Sequence, residues 1–588
     1  MLKKLIDAIQ GKTPFDLVIR NVRIVNVYQD TVLPGSIGIV DGRIAFTGIM
    51  EFPYMAKEEY DGHGQYALPG FVDSHMHLES SMLTPAYFSE IAVSCGTTTV
   101  AADPHEIGNV LGLEGVRALV ALTRGLPLRV LMMAPSTIPS APGFEGSGCE
   151  VGPEEAAALL DLPGMAGLGE VMDFNGVANG DVRILSVIET AAERGCILDG
   201  HASVLTGRRL QAFRATGIDS DHTTASAEKL LEELSLGFTV QIQECMLSEE
   251  LVRAMNTVAI QNRICLVTDD VPLPRLMREG HLNHVVEKAI SLGLDPLRAI
   301  RYASINPADR LRLYRVGAIA PGMTADIQLV GDLLHPHPST VICGGIFAFK
   351  DGKFLLSSSR PQIPDTLYRT VRCAAVKPED FTPTLHVPPS FEGGTALVNV
   401  IHQDGVSMRT KRIQRLLPVL MKSGRPTLDT SSLFEMAVFN RYGKNQHGIA
   451  FIDGMEHVRG AVALTYGHDS HNVAVFGNGA ADMAVAANAV IKMQGGICAA
   501  CGGKVTTLIP LPLAGLLSEE SPDILLRGLD AFLADCERMG FHHTNLMSFF
   551  TIMPLAVSPE IKCTDMGLVD VVNKQFLPLI ERIEEGCK

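Results

Sequence analysis

Residues 68–85 read LPGFVDSHMHLESSMLTP, and this stretch decides the fold. Residues 71–77 have the character of a buried strand, and strand side chains two apart point the same way. His75 and His77 therefore project together from the strand's carboxyl end. Runs of like character recur at 97–104 (TTTVAADP), 129–135 (RVLMMAP), 167–172 (GLGEVM), 196–201 (CILDGH), 218–222 (IDSDH), 238–243 (FTVQIQ) and 264–270 (ICLVTDD). Helix-forming stretches such as LEGVRALVALTR and EEAAALLDL separate them. Eight strands alternating with helices predict an α/β protein built on a closed parallel (β/α)8 barrel over 71–310.

Outward from the barrel, residues 1–70 and 311–356 read as short strands and turns. FDLVIRNVRIVNV and SIGIVDGRIAFTGI lie on one side, with Asp41-Gly42 at a hairpin turn, and VICGGIFAFKDGKFLL lies on the other. Both flanks are expected to pair into one small β domain. The Pro- and Ser-rich passage 357–394 predicts a linker. Residues 395–588, with AADMAVAANAVIKMQGG and PDILLRGLDAFLADCERM, predict a separate C-terminal α/β domain.

Composition narrows the function. Lys+Arg 49 against Asp+Glu 65 gives a net charge of −16 over 588 residues, without the clustered basic residues that a nucleic-acid partner requires. Hydrophobic residues, 46% of the chain, supply a large core. No run reaches the ~18 uncharged apolar residues of a spanning helix, and Asp7 interrupts MLKKLIDAIQGK too early for a secretory segment. A cytoplasmic protein acting on a small molecule is expected, with no membrane or nucleic-acid partner; a homodimer is compatible with this. The 12 cysteines are scattered, as reduced core residues are, and Cys498–Cys501 is a lone C-x-x-C, weak as a zinc signal.

Active sites of such barrels lie at the carboxyl ends of the strands, so His75 and His77 are placed to grip one divalent cation. His201, His222 and the pair Asp269-Asp270 close later strands. Any one of them could be an ordinary polar strand end; their coincidence with the H-x-H strand points to a metal site with room for two cations. Barrels of this kind often bridge two metals with a carboxylated lysine, but no lysine occurs between Lys57 and Lys229. A carboxylate must serve instead. Glu170, at the end of the fourth strand, is the first candidate, with proton transfer as its other role. Glu106, after the second strand, is the rival, although Asp103, His105 and Glu106 could equally be a helix start.

PGFVDSHMHLESSMLTP, TTTVAADPHEIGNV, LDGH, LVTDD and IAPGMTADI together resemble the amidohydrolase superfamily, and within it the bacterial binuclear adenine deaminases. The resemblance extends through LTYGHDSHNVAVFG and IPLPLAGLLS in the C-terminal part. It implies hydrolysis of adenine to hypoxanthine and ammonia with two divalent metal ions, manganese or iron(II) first and zinc third. Carried over by position, His75, His77, His201, His222 and Asp269 would be metal ligands and Glu170 a bridging or proton-handling carboxylate. Asp269 would take the proton of the attacking water, Glu170 or Glu106 would protonate the ring nitrogen N1, and Asp270 would orient a histidine. Asp270, His468, Asp469 and His471 are substrate-pocket candidates, the last three as a family motif that closes the pocket or orders a loop.

Three departures surround the substrate rather than the metals: Thr223 where the family has a glutamate, Val271-Pro272 where it has an arginine, and ASVLTGRR in place of a glycine-rich loop. They leave open a deaminase of another 6-aminopurine, such as an N6-substituted adenine. An amidohydrolase cleaving a cyclic amide and a non-catalytic purine-binding relative are the remaining alternatives.

Overall fold

The computed structural model describes residues 2–259, 261–356, 361–403, 405, 409–422, 424–455 and 457–585. The chain folds as two compact units. The first comprises Met1–Pro104, Leu119–Ser136 and Gly152–Gln362; the second comprises His105–Ala118, Thr137–Val151 and Ile363–Lys588. Among the described residues no helix is long and apolar enough to cross a membrane.

In the first unit the eight barrel strands are β1 (Phe71–Met76), β2 (Thr97–Ala102), β3 (Arg129–Ala134), β4 (Met165–Val171), β5 (Ile197–Gly200), β6 (Ser220–Asp221), β7 (Thr239–Ile242) and β8 (Ile264–Leu266). β1 to β5 pair in parallel, as do β6 to β8. A parallel bridge from Met76 to Asp269 joins the ends of the first and last strands. β1 and β2 are buried throughout, as strands covered on both faces must be. The helices between them start where side chains satisfy their free N–H groups: Asp181, Ser226 and Ser248 each accept from the first turn of the helix that follows.

The flanks share one nine-stranded sheet, joined where Ile327–Val330 runs antiparallel to Tyr66–Pro69. Asp41 and Gly42 turn the Thr31–Val40/Arg43–Gly48 hairpin with φ of 48° and 73°, the two positive values that a tight primed turn demands.

The second unit is built on a ten-stranded, mostly antiparallel sheet. Helix Ala480–Lys492 packs its small apolar face on that sheet, and Val371, Val376 and Phe381 complete the same core. The passage read as a linker is therefore, from Ile363 onward, a packed part of the second unit, because its spaced apolar residues find a sheet to cover; 357–360 lie outside the described residues. Likewise 105–118 and 137–151, read as barrel, belong to this unit. Cys498 and Cys501 lie three positions apart on strand Gly496–Cys501, hence on opposite faces, and cannot grip one ion.

Candidate active site

In the first unit the carboxyl ends of β1, β4, β5, β6 and β8 deliver their polar residues to one buried cluster. Glu170 is its centre. Oε1 lies 3.2 Å from His77 Nε2 and 4.0 Å from His75 Nε2. Oε2 accepts from His201 Nδ1 at 2.6 Å and lies 3.2 Å from His222 Nε2. Asp269 Oδ1 stands 3.1 Å from His77 Nε2 and 3.5 Å from His75 Nε2. The His75 and His222 rings stack with centroids 3.8 Å apart.

Two ligand sets overlap here. His75, His77 and Glu170 each offer one donor atom within 4.8 Å of the others, and so do Glu170, His201 and His222. The glutamate is common to both.

The supporting residues explain why the cluster holds this shape. His75 Nδ1 donates to Asp199 Oδ2 at 2.8 Å, which turns Nε2 toward Glu170 and Asp269. Asp199 in turn accepts from Arg310 at 2.7 Å, from Gln241 at 3.0 Å and from the Ser220 hydroxyl. His77 Nδ1 donates to the Asp103 carbonyl at 3.0 Å. Glu170 is fixed by its own N–H, which donates to Asp103 Oδ2 at 2.9 Å. A Cβ on the preceding Gly169 would stand 2.1 Å from that oxygen, so only glycine leaves Asp103 room to do this. Asp269 sits just beyond β8 in the left-handed region, φ 55°, a conformation uncommon outside glycine and frequent at functional sites.

The electrostatics follow from this packing. Burial opposes the charges on Glu170 and Asp269, yet His222, His201 and His77 hold the first well below the usual carboxylate range, and His75 and His77 hold the second there. Burial would also lower His75, but Asp199 raises it well above an ordinary imidazole. The cluster thus prefers positive charge among its nitrogens. His75 Nε2, buried, has no hydrogen-bond partner, as expected of a nitrogen whose partner is a cation rather than an oxygen. Imidazoles and carboxylates are the donor set of divalent transition metals, so the residues fit such an ion.

Asp270, which is exposed, accepts from the Ser80 hydroxyl. Thr223, one of the departures, donates to Asp221 at 2.7 Å and accepts from Ser203 N–H at 2.8 Å, and so ties down the loop after His201. Lys229 is bound to Asp221 at 2.9 Å. The sequence reading missed Asp199, Gln241 and Arg310. Asp199 carries a usable signal, since it lies on β5 two residues before His201, which follows the strand's end.

The other candidates gather in the second unit. Glu106, in the first turn of helix His105–Leu122, faces His468 Nδ1 with Oε1 and His471 Nε2 with Oε2. His468 and His471 hold its carboxyl well below the usual range despite complete burial. Asp469 is buried beside them, 3.9 Å from His468 Nδ1 and 4.0 Å from His105 Nε2. The buried Arg441 donates to the His471 carbonyl at 3.1 Å and fixes the loop.

Residues 66–353 match the family model described as Amidohydrolase family, and 407–575 match Adenine deaminase C-terminal domain. Curated relatives named adenine deaminase align over nearly their whole length. Those of Kosmotoga olearia and Moorella thermoacetica are each 35% identical, covering 98% of this chain and 98% of their own. That of Nitratidesulfovibrio vulgaris is 36% identical with the same coverage. Amidohydrolase membership and the imidazole–carboxylate cluster together mark the barrel site as one for divalent metal. With both domain models matched in order and full-length relatives at this identity, the chain belongs to the adenine deaminase family.

Proposed function

We propose that the chain hydrolyses adenine to hypoxanthine and ammonia at the barrel cluster, with two divalent cations, manganese or iron(II) ahead of zinc. The observation that carries this reading is the division of Glu170: one oxygen faces His77 at 3.2 Å, the other His201 at 2.6 Å and His222 at 3.2 Å. A carboxylate so divided suits a bridge between two cations and supplies what a carboxylated lysine supplies in other barrels. His75, His77 and Asp269 would hold one ion and His201 and His222 the other. When bound, such ions lower the pKa of a held water from 15.7 toward about 7 and so provide hydroxide at neutral pH.

The chain's own residues do the rest. Asp269, kept ionised by His75 and His77, accepts the proton of the attacking water and returns it to the departing amino nitrogen. Asp199, held ionised by Arg310 and His75, keeps the His75 ring in one tautomer and orientation. Asp270, exposed next to Asp269, contacts the substrate. Protonation of N1 is the role that the resemblance gives to Glu170 or Glu106; the remaining proton of the attacking water replaces the one N1 takes, so hypoxanthine leaves with one proton of the water and ammonia with the other.

The curated relatives favour adenine over an N6-substituted purine or a cyclic amide. Metal-free protein reloaded with Mn2+ and offered adenine, N6-methyladenine and hydantoin tests this by product chromatography. Hypoxanthine forming from adenine, with hydantoin left intact, is the expected result. Ring opening of hydantoin without turnover of adenine would overturn the reading.

A further inference from the structure

We infer that His105, Glu106, His468 and Asp469 of the second unit form a binding site for one divalent transition-metal cation. The Asp469 carboxylate carries the argument. Its side chain is buried (4% exposed), and its Oδ2 has no hydrogen-bond partner. Its nearest basic atoms, His105 Nε2 at 4.0 Å and His468 Nδ1 at 3.9 Å, stand beyond hydrogen-bond reach of Oδ1. Burying a carboxylate without hydrogen bonds is costly, and proteins do it where the charge is paired or coordinates a metal.

The four donors close a ring. Glu106 Oε1 lies 3.8 Å from His105 Nε2 and faces His468 Nδ1 directly; Asp469 Oδ1 spans the same two imidazoles from the other side. Ligand atoms about 2.1 Å from a tetrahedral centre stand about 3.4 Å apart, so the three longer edges of this ring must close by about half an ångström, while Glu106 and His468, which touch directly, must part to admit the ion. Two imidazoles and two carboxylates suit zinc, iron(II) or manganese. The remaining Glu106 oxygen is engaged by His471, the type of outer partner that orients a ligating carboxylate. The loop is rigid: Arg441 holds the His471 carbonyl, the Tyr442 hydroxyl donates to the Ser470 carbonyl at 2.5 Å, and Asn472 donates to the Gly146 carbonyl at 3.0 Å.

The test is a count of bound ions by plasma mass spectrometry after the full-length protein is stripped, loaded with Mn2+ and desalted. Wild type should hold three per chain. Asp469→Asn, nearly isosteric, and His468→Gln should each hold two, while the barrel double variant His75→Asn/Glu170→Gln should keep one. Because the barrel variant keeps its ion only if the second site exists, failure of this inference and failure of the barrel reading are distinguishable. A wild-type count of two or fewer with an empty barrel variant would overturn the inference. So would an Asp469→Asn protein that keeps every ion, including one that does so while losing hypoxanthine binding in equilibrium dialysis, which would make Asp469 a purine contact instead.

Discussion

Around Glu170, four imidazoles and an aspartate are arranged so that each buried carboxylate meets several nitrogens, and both Glu170 and Asp269 are held low. Around Asp469 the ingredients are the same, yet the balance differs: Glu106 is held low by its two histidines, while Asp469 and Glu145 are pushed up by burial. The first cluster is organised about a shared anion whose two oxygens serve two ligand sets. The second is organised about an acid with no hydrogen bond to its carboxylate. Residue types alone therefore do not define a metal site; what distinguishes the two is which atoms remain without partners once the chain has folded.

Four perturbations press on that difference, from the largest effect to the smallest. Glu170→Gln removes the shared anion. Turnover of adenine should fall by about 1,000-fold or more, since it affects both the nucleophile's generation and its charge stabilisation. Steady-state kinetics at saturating Mn2+ reads this, and retention of a tenth of the activity would show that the bridge lies elsewhere. Asp269→Asn should cost at least about 100-fold in kcat, the usual contribution of a positioned proton acceptor, while leaving the ion count unchanged. A drop of less than tenfold would remove Asp269 from that role.

Asp199→Asn leaves the ligands in place and weakens the support of His75. Metal affinity should fall by about 10–100-fold, as when an outer partner of a ligating histidine is lost. Titration of Mn2+ into metal-free protein measures it, and an unchanged affinity would mean that Arg310 and Gln241 orient the strand without it.

The smallest effect concerns the second unit's stability. Lys562 is buried, and burial lowers its ammonium to about 7 from the ordinary 10.5. Below pH 7 both folded and unfolded chains carry the charge and the folded state bears the full burial cost. Between pH 7 and 10.5 the unfolded chain binds more protons, so stability rises with pH. Lys562→Met should flatten that rise and stabilise the protein at pH 7. Urea unfolding at pH 7 and pH 9.5 compares the two slopes; identical slopes would show that Lys562 is not the group responsible.

Most of the barrel site was legible in the sequence, because a strand's period of two converts spacing directly into a shared face. H-x-H at 75 and 77, and polar residues closing CILDGH, IDSDH and ICLVTDD, need only that rule to converge. The lysine-free interval up to Lys229 even directed attention to Glu170. The supporting shell was hidden for the opposite reason. Arg310 reaches Asp199 across 111 positions and Gln241 across 42, and no local pattern encodes such a pairing. The same distance hid the Glu106 cluster, since His471 lies 365 positions from its partner; the first turn of a helix looks the same whether its glutamate caps an N-terminus or binds two histidines. Composition misled once: the Pro- and Ser-rich passage suggested a linker, while Val371, Val376 and Phe381 were spaced to cover a sheet not visible from the passage itself.

Anomalous scattering at the manganese edge from crystals of the Mn2+-loaded protein tests the central claim most directly. Two peaks should flank the Glu170 carboxylate, one reached by His75 and His77 and the other by His201 and His222. A single peak, or density that leaves both Glu170 oxygens uncoordinated, would contradict the carboxylate-bridged centre.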